Sequence, residues 1–168
     1  MRPTILLART ITSGLGTGFS PFASGTVASA ACTGLWFLLQ RSPFALTTLE
    51  LGMLACAISL LGLIATHALI SDEGWKRVAS GNNGKAHIDP SEVVIDEWAG
   101  MLITLLAASP TVLEALIAFL LFRFFDITKL GPIGMAERLP GALGIMLDDI
   151  IAGLAGALMM WGIHVAFL

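Results

Sequence analysis

Two long apolar runs without a charged side chain, residues 51–70 and 150–168, constrain the fold of this chain most strongly. Each is close to the roughly 20 residues that a helix needs to cross a hydrocarbon core about 30 Å thick. Only 12% of the 168 residues are charged, whereas soluble domains carry about 25%. The chain therefore cannot cover a water-facing surface. Composition predicts one membrane-embedded domain over residues 1–168 and, with no excess of basic residues, excludes a nucleic-acid partner.

Three shorter apolar runs cover residues 27–39, 98–108 and 112–122. The last two are separated only by Ser109-Pro110-Thr111, which predicts a helix stop followed by a restart. Both are too short to span a bilayer at about 1.5 Å per residue, so they form either a tight hairpin that thins the bilayer or a re-entrant pair inside the bundle. The prediction is an all-α polytopic membrane bundle with four to five membrane segments, including this short hairpin.

The distribution of charge predicts the orientation of the bundle. With five crossings and the N-terminus inside, every Lys and Arg except Arg41 lies on the cytoplasmic side, as the positive-inside rule requires. The positive-inside rule concerns only Lys and Arg, yet all the acids except Glu50 and Glu114 lie on the same side. We therefore expect the active site on the cytoplasmic face.

A polar connection and a short β-branched stretch lie between the second and third apolar runs. The polar connection from Ser71 to Glu92 contains a turn-rich stretch at residues 80–84. The β-branched residues 93–95 precede an apolar run directly and predict the entry to a helix instead of a strand.

Acidic side chains adjoin the membrane segments at three places: Asp96-Glu97, Asp126 and Asp148-Asp149. Neighbouring helical residues point about 100° apart, so one member of each pair should face the site unless the pair lies at a helix end. The other member would cap a helix or form a salt bridge, which is also the purely structural interpretation of any single pair. Three such places are too many for caps alone, because a carboxylate beside a bilayer is costly unless it is paired or metal-bound.

An oxygen-only set of side chains suits a hard cation, and Mg²⁺ combines one or two carboxylates with phosphate oxygens and water. Arg123 and Lys129 stand three residues before and after Asp126, where they either hold a phosphate or neutralise that aspartate. The Gly/Ser/Thr-rich segment 14–26 is either an anion-binding loop or a flexible entry to the next helix.

Three sequence blocks carry a family resemblance. Read in order, they resemble the phosphatidylglycerophosphatase A family and are Gly14–Pro21 with Gly25-Thr26, Val93–Gly100, and Phe122–Lys129 with Gly144–Gly153. The resemblance covers nearly the whole chain. It implies a Mg²⁺-dependent lipid phosphatase of glycerophospholipid synthesis, a multi-pass protein of the bacterial cytoplasmic (inner) membrane. Its substrate would be phosphatidylglycerophosphate, converted to phosphatidylglycerol and phosphate.

The resemblance also implies site residues. The catalytic and metal-binding candidates are Asp96, Glu97, Asp126, Asp148 and Asp149, and the substrate-binding candidates are Arg123, Lys129, Gly16, Ser20 and Thr26. The chain departs from the family pattern at two points. Ser24 replaces a proline, and Leu130-Gly131 replaces a Pro-Trp pair that would form a rigid corner near Lys129.

One rival function uses the same residues. Acids within a membrane and a broken hairpin also suit a cation channel or transporter. The acids gather at one face instead of the membrane midplane, with Glu114 as the exception, which favours the enzyme. A non-enzymatic membrane scaffold would leave the paired acids unexplained.

Overall fold

The computed structural model describes residues 3–72 and 92–167, and all regular structure in these ranges is helical. The helices are α1 (Pro3–Thr12), a short 3-10 helix (Thr17–Phe19), α2 (Ser24–Gln40), α3 (Thr48–Ser71), α4 (Ile95–Leu105), α5 (Val112–Thr128), α6 (Pro132–Glu137) and α7 (Ala142–Phe167). The all-α prediction is confirmed for these residues. The predicted turn-rich stretch at residues 80–84 lies outside the described ranges.

Two helices, Thr48–Ser71 and Ala142–Ala166, are long and apolar enough to cross a membrane by length and composition. They contain most of the two longest apolar runs. Helix α4 has 11 residues and is about 16 Å long at 1.5 Å per residue. It ends at Leu105, three residues before the end of the apolar run. The total of four to five membrane segments stays a prediction.

Helix α4 forms the centre of the bundle, where it contacts α2, α3, α5 and α7. Its closest neighbour is α7, because glycines let the two backbones touch. A Cβ atom on Gly100 would overlap the carbonyl of Asp149, and one on Gly153 would overlap the carbonyl of Gly100. The hydroxyl of Thr104 also donates to the carbonyl of Gly153 at 3.1 Å. This contact holds the acidic start of α4 against the acidic turn of α7.

The entry to α4 is held by the N-terminal part of the chain. Val93 and Val94 are buried, and the backbone N–H of Val94 donates to the carbonyl of Thr12 at 2.8 Å. A Cβ atom on Gly18 would overlap the carbonyl of Glu92, so the 3-10 helix packs directly on this segment. The helix begins at Ile95, which confirms the predicted helix entry.

The break between α4 and α5 is stabilised by a buried carboxylate. Thr111 caps α5 by accepting from the N–H of Glu114 at 3.2 Å. Glu114, which is 4% exposed, accepts from the N–H of Ser109 at 2.8 Å and lies 3.2 Å from Nδ1 of His164. The predicted helix stop and restart is confirmed. Glu114, one of the two acids placed away from the cytoplasmic side, stabilises the turn between α4 and α5.

Replacing Glu114 by alanine is expected to reduce the free energy of unfolding by about 2 kcal/mol, because the N–H of Ser109 loses its acceptor. Glu114→Gln keeps an acceptor oxygen and should retain most of that stability. Equilibrium unfolding in mixed detergent micelles measures both variants. An alanine variant as stable as the original chain would contradict this role.

Candidate active site

A polar cavity of about 760 Å³ opens where the start of α4, the end of α5 and the first turns of α7 meet. All five predicted acids and both predicted cations line it: Asp96, Glu97, Asp126, Asp148, Asp149, Arg123 and Lys129. Residues separated by up to 53 positions in sequence therefore share one space, from Asp96 to Asp149. The structure therefore brings the three acidic places together in one cavity, and their catalytic and metal-binding roles stay a prediction.

Three of the acids form a compact cluster. Carboxylate oxygens of Asp96, Glu97 and Asp149 all lie within 4.8 Å of one another. Both members of the first pair belong to it, because α4 begins at Ile95 and the pair lies at a helix end. Such a set of oxygen donors fits a hard divalent cation.

The second acidic pair divides between two roles. Asp149 joins the three-carboxylate cluster, whereas Asp148 accepts a hydrogen bond from Nζ of Lys129 at 2.6 Å. The pair lies inside α7, not at its end, so the two side chains diverge as the 100° step requires. One oxygen of Asp148 also accepts from the N–H of Asp149 at 3.0 Å.

Lys129 neutralises the acids beside this cluster. Its Nζ donates to Asp126 at 2.8 Å and to Asp148 at 2.6 Å, and it lies 3.5 Å from Asp149. Burial alone would lower the pKa of Lys129, but the charge of Asp149 and the hydrogen bonds to Asp126 and Asp148 outweigh it and raise that pKa above 10.5. The ammonium group is therefore charged at neutral pH. Its stabilising effect is fully present below pH 10.5 and is lost only at higher pH.

Two buried polar atoms at the site have no hydrogen-bond partner among the described residues. They are Oε2 of Glu97 and Nε of Arg123. The guanidinium group of Arg123 also binds Asp126, with Nη1 at 2.5 Å from Oδ2. Leaving such atoms unpaired costs about 1–3 kcal/mol each. A cation could bind at Oε2 of Glu97, and Nε of Arg123 could donate to an acceptor.

Gly25, which was not among the predicted site residues, also contacts the site. A Cβ atom there would overlap Oε1 of Glu97 and stand 3.2 Å from Nη1 of Arg123. The start of α2 thus closes over the two side chains that carry the unpaired atoms. Gly25 lies in the Gly/Ser/Thr-rich segment, so composition marked the region but not the position.

A second residue missed by the sequence analysis is Arg138, which lines the cavity from the connection between α6 and α7. Among the described residues it forms no ion pair, so its guanidinium group is available to an anion at the cavity mouth. Its charge was the only signal in the sequence, and the bend after α6 brings it to the site.

The three candidates from the N-terminal loop lie outside the described lining of this cavity. Gly16 adopts a left-handed conformation with φ 99° before the 3-10 helix. The hydroxyl of Ser20 donates to the carbonyl of Phe22 at 2.9 Å, and Thr26 lies in the first turn of α2. Their role in substrate binding stays a prediction.

Comparison with known proteins identifies close sequence relatives. The profile of the family described as Phosphatidylglycerophosphatase A matches residues 10–164. A phosphatidylglycerophosphatase A of Escherichia coli (strain K12) is 34% identical over 155 residues, covering 90% of this chain and 81% of the relative. The Haemophilus influenzae protein of the same name is 33% identical, with 90% and 85% covered.

A third relative has a different name. This Bacteroides thetaiotaomicron protein, provisionally named a phosphatidylinositol-3-phosphatase, is 38% identical over 152 residues. The match covers 85% of this chain and 84% of the relative. No solved structure matches the chain significantly.

Proposed function

Because the chain belongs to the phosphatidylglycerophosphatase A family and is therefore a phosphatase, we propose that it hydrolyses the terminal phosphomonoester of phosphatidylglycerophosphate. The products are phosphatidylglycerol and inorganic phosphate. The observation that carries this proposal is the pairing, in one cavity, of a three-carboxylate cluster with the unpaired Nε of Arg123. Together these groups suit a phosphate bound beside a divalent cation.

The proposed cofactor is Mg²⁺, held by Asp96, Glu97 and Asp149. When bound, Mg²⁺ neutralises phosphate charge and polarises the attacking water. Asp126 and Asp148, which were also predicted as metal ligands, accept hydrogen bonds from Nζ of Lys129. We assign them two roles. Both position Lys129, and the carboxylate of one of them accepts a proton from the attacking water.

Arg123 and Lys129 act on the charge of the reacting phosphate. Arg123 donates from its unpaired Nε to a phosphate oxygen, and Lys129 stabilises the negative charge that develops during displacement. Water forms the new bond to phosphorus as the bond to the glycerol oxygen breaks, and the departing alkoxide takes up the proton that the carboxylate accepted from that water. Arg138 holds the lipid headgroup at the cavity mouth.

We further propose that the chain is a multi-pass protein of the bacterial cytoplasmic membrane, with the cavity facing the cytoplasm. The cavity lies at one end of the bundle, where α3 ends and α4 begins. The Glu114–His164 contact lies at the other end, where α5 begins and α7 ends. This separation agrees with the orientation that the basic residues predict.

The first test is phosphate release by the purified full-length chain in mixed micelles. We expect Mg²⁺-dependent release from phosphatidylglycerophosphate that stops when a chelator is added. Phosphatidylinositol 3-phosphate is the second substrate, because one relative's name points to it. Faster release from that lipid would reassign the substrate, and no release from either would overturn the proposal.

The cation-channel alternative gains no support from the described residues. The cluster of carboxylates lies in a cavity at one end of the bundle, and Glu114 is bound at the turn between α4 and α5. Neither arrangement places a row of ligands across a membrane.

Replacing Gly25 by alanine is expected to lower kcat/KM about tenfold, since the new methyl group displaces the carboxylate of Glu97, and small misplacements at a reacting centre are costly. The control is Gly52→Ala on α3, where a Cβ atom meets nothing within 4 Å. Both variants should remain folded. Equal activities would show that the approach of α2 to Glu97 is unimportant.

A further inference from the structure

An apolar groove lies between α2 and α5, outside the polar cavity. Its volume is about 340 Å³, at the lower end of the range for ligand sites. Among the described residues that line it, Thr33 alone has a polar side chain, and that hydroxyl donates to the carbonyl of Ser29 at 2.8 Å. The described lining of the groove is therefore almost entirely hydrocarbon. Apolar residues of both helices line the rest of it, among them Ala30, Gly34, Phe37, Val112 and Phe119.

The groove lies on the same two helices that carry Gly25 and Arg123, and it extends along them away from the polar cavity. Phe119 precedes Arg123 by one helical turn on α5, about 6 Å along the axis. From Phe119 to Val112 the groove continues for about another 10 Å at 1.5 Å per residue. On α2 it follows Gly25, which lies against Glu97 and Arg123. The two helices thus connect the surroundings of Arg123 with the apolar groove.

We propose that this groove seats one acyl chain of the phospholipid substrate, an inference that rests on the proposed function. A lipid whose phosphate reaches Arg123 must keep its chains in an apolar environment, and the groove provides one within a helical turn. Membrane lipid tails are as apolar as the groove, so a chain gains little free energy by entering it. The groove acts by fixing the direction from which the headgroup enters the cavity.

The test fills the groove with a side chain. Gly34 lines the groove, and a Cβ atom on it meets nothing within 4 Å, so Gly34→Leu adds bulk at the groove without overlap at the Cβ atom. Gly52→Leu on α3 is the matched control, because its Cβ atom also meets nothing within 4 Å. Leucine favours helix over glycine at both positions.

The readout is the ratio of kcat/KM for dipalmitoyl phosphatidylglycerophosphate to that for its deacylated headgroup. We expect Gly34→Leu to reduce this ratio about tenfold by misaligning the headgroup, and Gly52→Leu to leave it unchanged. Equal ratios in all three proteins would overturn the proposal. Loss of self-association in Gly34→Leu, measured by sedimentation, would instead assign the groove to a second copy of the chain and also overturn it.

A second readout separates this inference from the proposed function because it needs no turnover. Phosphatidylglycerol with a diazirine on one acyl chain should label residues 30–37 and 112–119, and Gly34→Leu should remove that label. This result supports an acyl-chain groove even if the wild-type chain hydrolyses no phosphatidylglycerophosphate. Labelling spread equally over α2, α3 and α5 would overturn it.

Discussion

Asp149→Asn is expected to reduce phosphate release roughly 1,000-fold, the largest single effect that we predict. The amide keeps the size of the side chain but removes the charge that Asp149 contributes to the cluster with Asp96 and Glu97. The fold should persist, because the backbone contact between Gly100 and the Asp149 region does not depend on that charge. Steady-state phosphate release over a range of Mg²⁺ concentrations measures the effect.

Two controls make this result specific. Glu50→Gln removes one negative charge at the start of α3, at the end remote from the cavity, and glutamine can still accept from the N–H of Thr47. It should leave turnover unchanged. Asp148→Asn alters the neighbouring residue, which binds Lys129 at 2.6 Å. Its half-saturating Mg²⁺ concentration should stay at the wild-type value even though turnover falls. If Asp149→Asn kept more than a tenth of wild-type activity, the proposed role of Asp149 as a metal ligand would be contradicted.

Lys129→Met is expected to reduce the free energy of unfolding by about 3 kcal/mol and to lower turnover about 100-fold. One ammonium group binds Asp126 and Asp148 and lies 3.5 Å from Asp149, so its loss leaves these carboxylates close together without their shared cation. Lys129→Arg keeps the charge but replaces a compact ammonium group by a planar fork, and should recover only part of the stability.

The pH dependence of this loss provides an independent check. Because the pKa of Lys129 is raised in the folded chain, the difference in stability between wild type and Lys129→Met should be the same at neutral pH and just below pH 10.5. It should shrink only at higher pH, as the folded-state ammonium group loses its proton. Unfolding titrations in detergent at several pH values measure the difference. A gap that closes well below pH 10.5 would contradict the ion-pair role.

Several elements of the fold could be predicted because their signals are local. Uninterrupted apolar runs indicated α3 and α7, and Ser109-Pro110-Thr111 marked the break between α4 and α5. Helices α1 and α6 went unpredicted. Each is short, with 10 and 6 residues, and neither contains an apolar run long enough to stand out. Their placement depends on packing against α3 and α7.

The candidate site was predictable in its chemistry but not in its division of roles. The five acids, Arg123 and Lys129 were predicted as site residues because they are charged and stand beside apolar segments. Burying such groups without partners is costly. Nothing in the spacing separated Asp148 from Asp149, nor showed that Gly25 approaches Glu97. Those facts depend on where α4 begins and on how closely α2 and α7 pack against it.

The sequence by itself determined that this chain is helical and apolar, that it breaks at residues 109–111, and that it places its acids beside apolar segments. Those properties follow from composition and local chain stiffness. Only the tertiary structure decided which carboxylates share a cluster, which ones bind Lys129, and which polar atoms stay unpaired. The physical reason is that the three-carboxylate cluster and the contact between Lys129 and Asp148 are distances between helices. The contact between Lys129 and Asp126 joins residues three apart in one segment and follows from spacing. The glycine contacts between α4 and α7 and the approach of Gly25 set those distances across long separations in sequence.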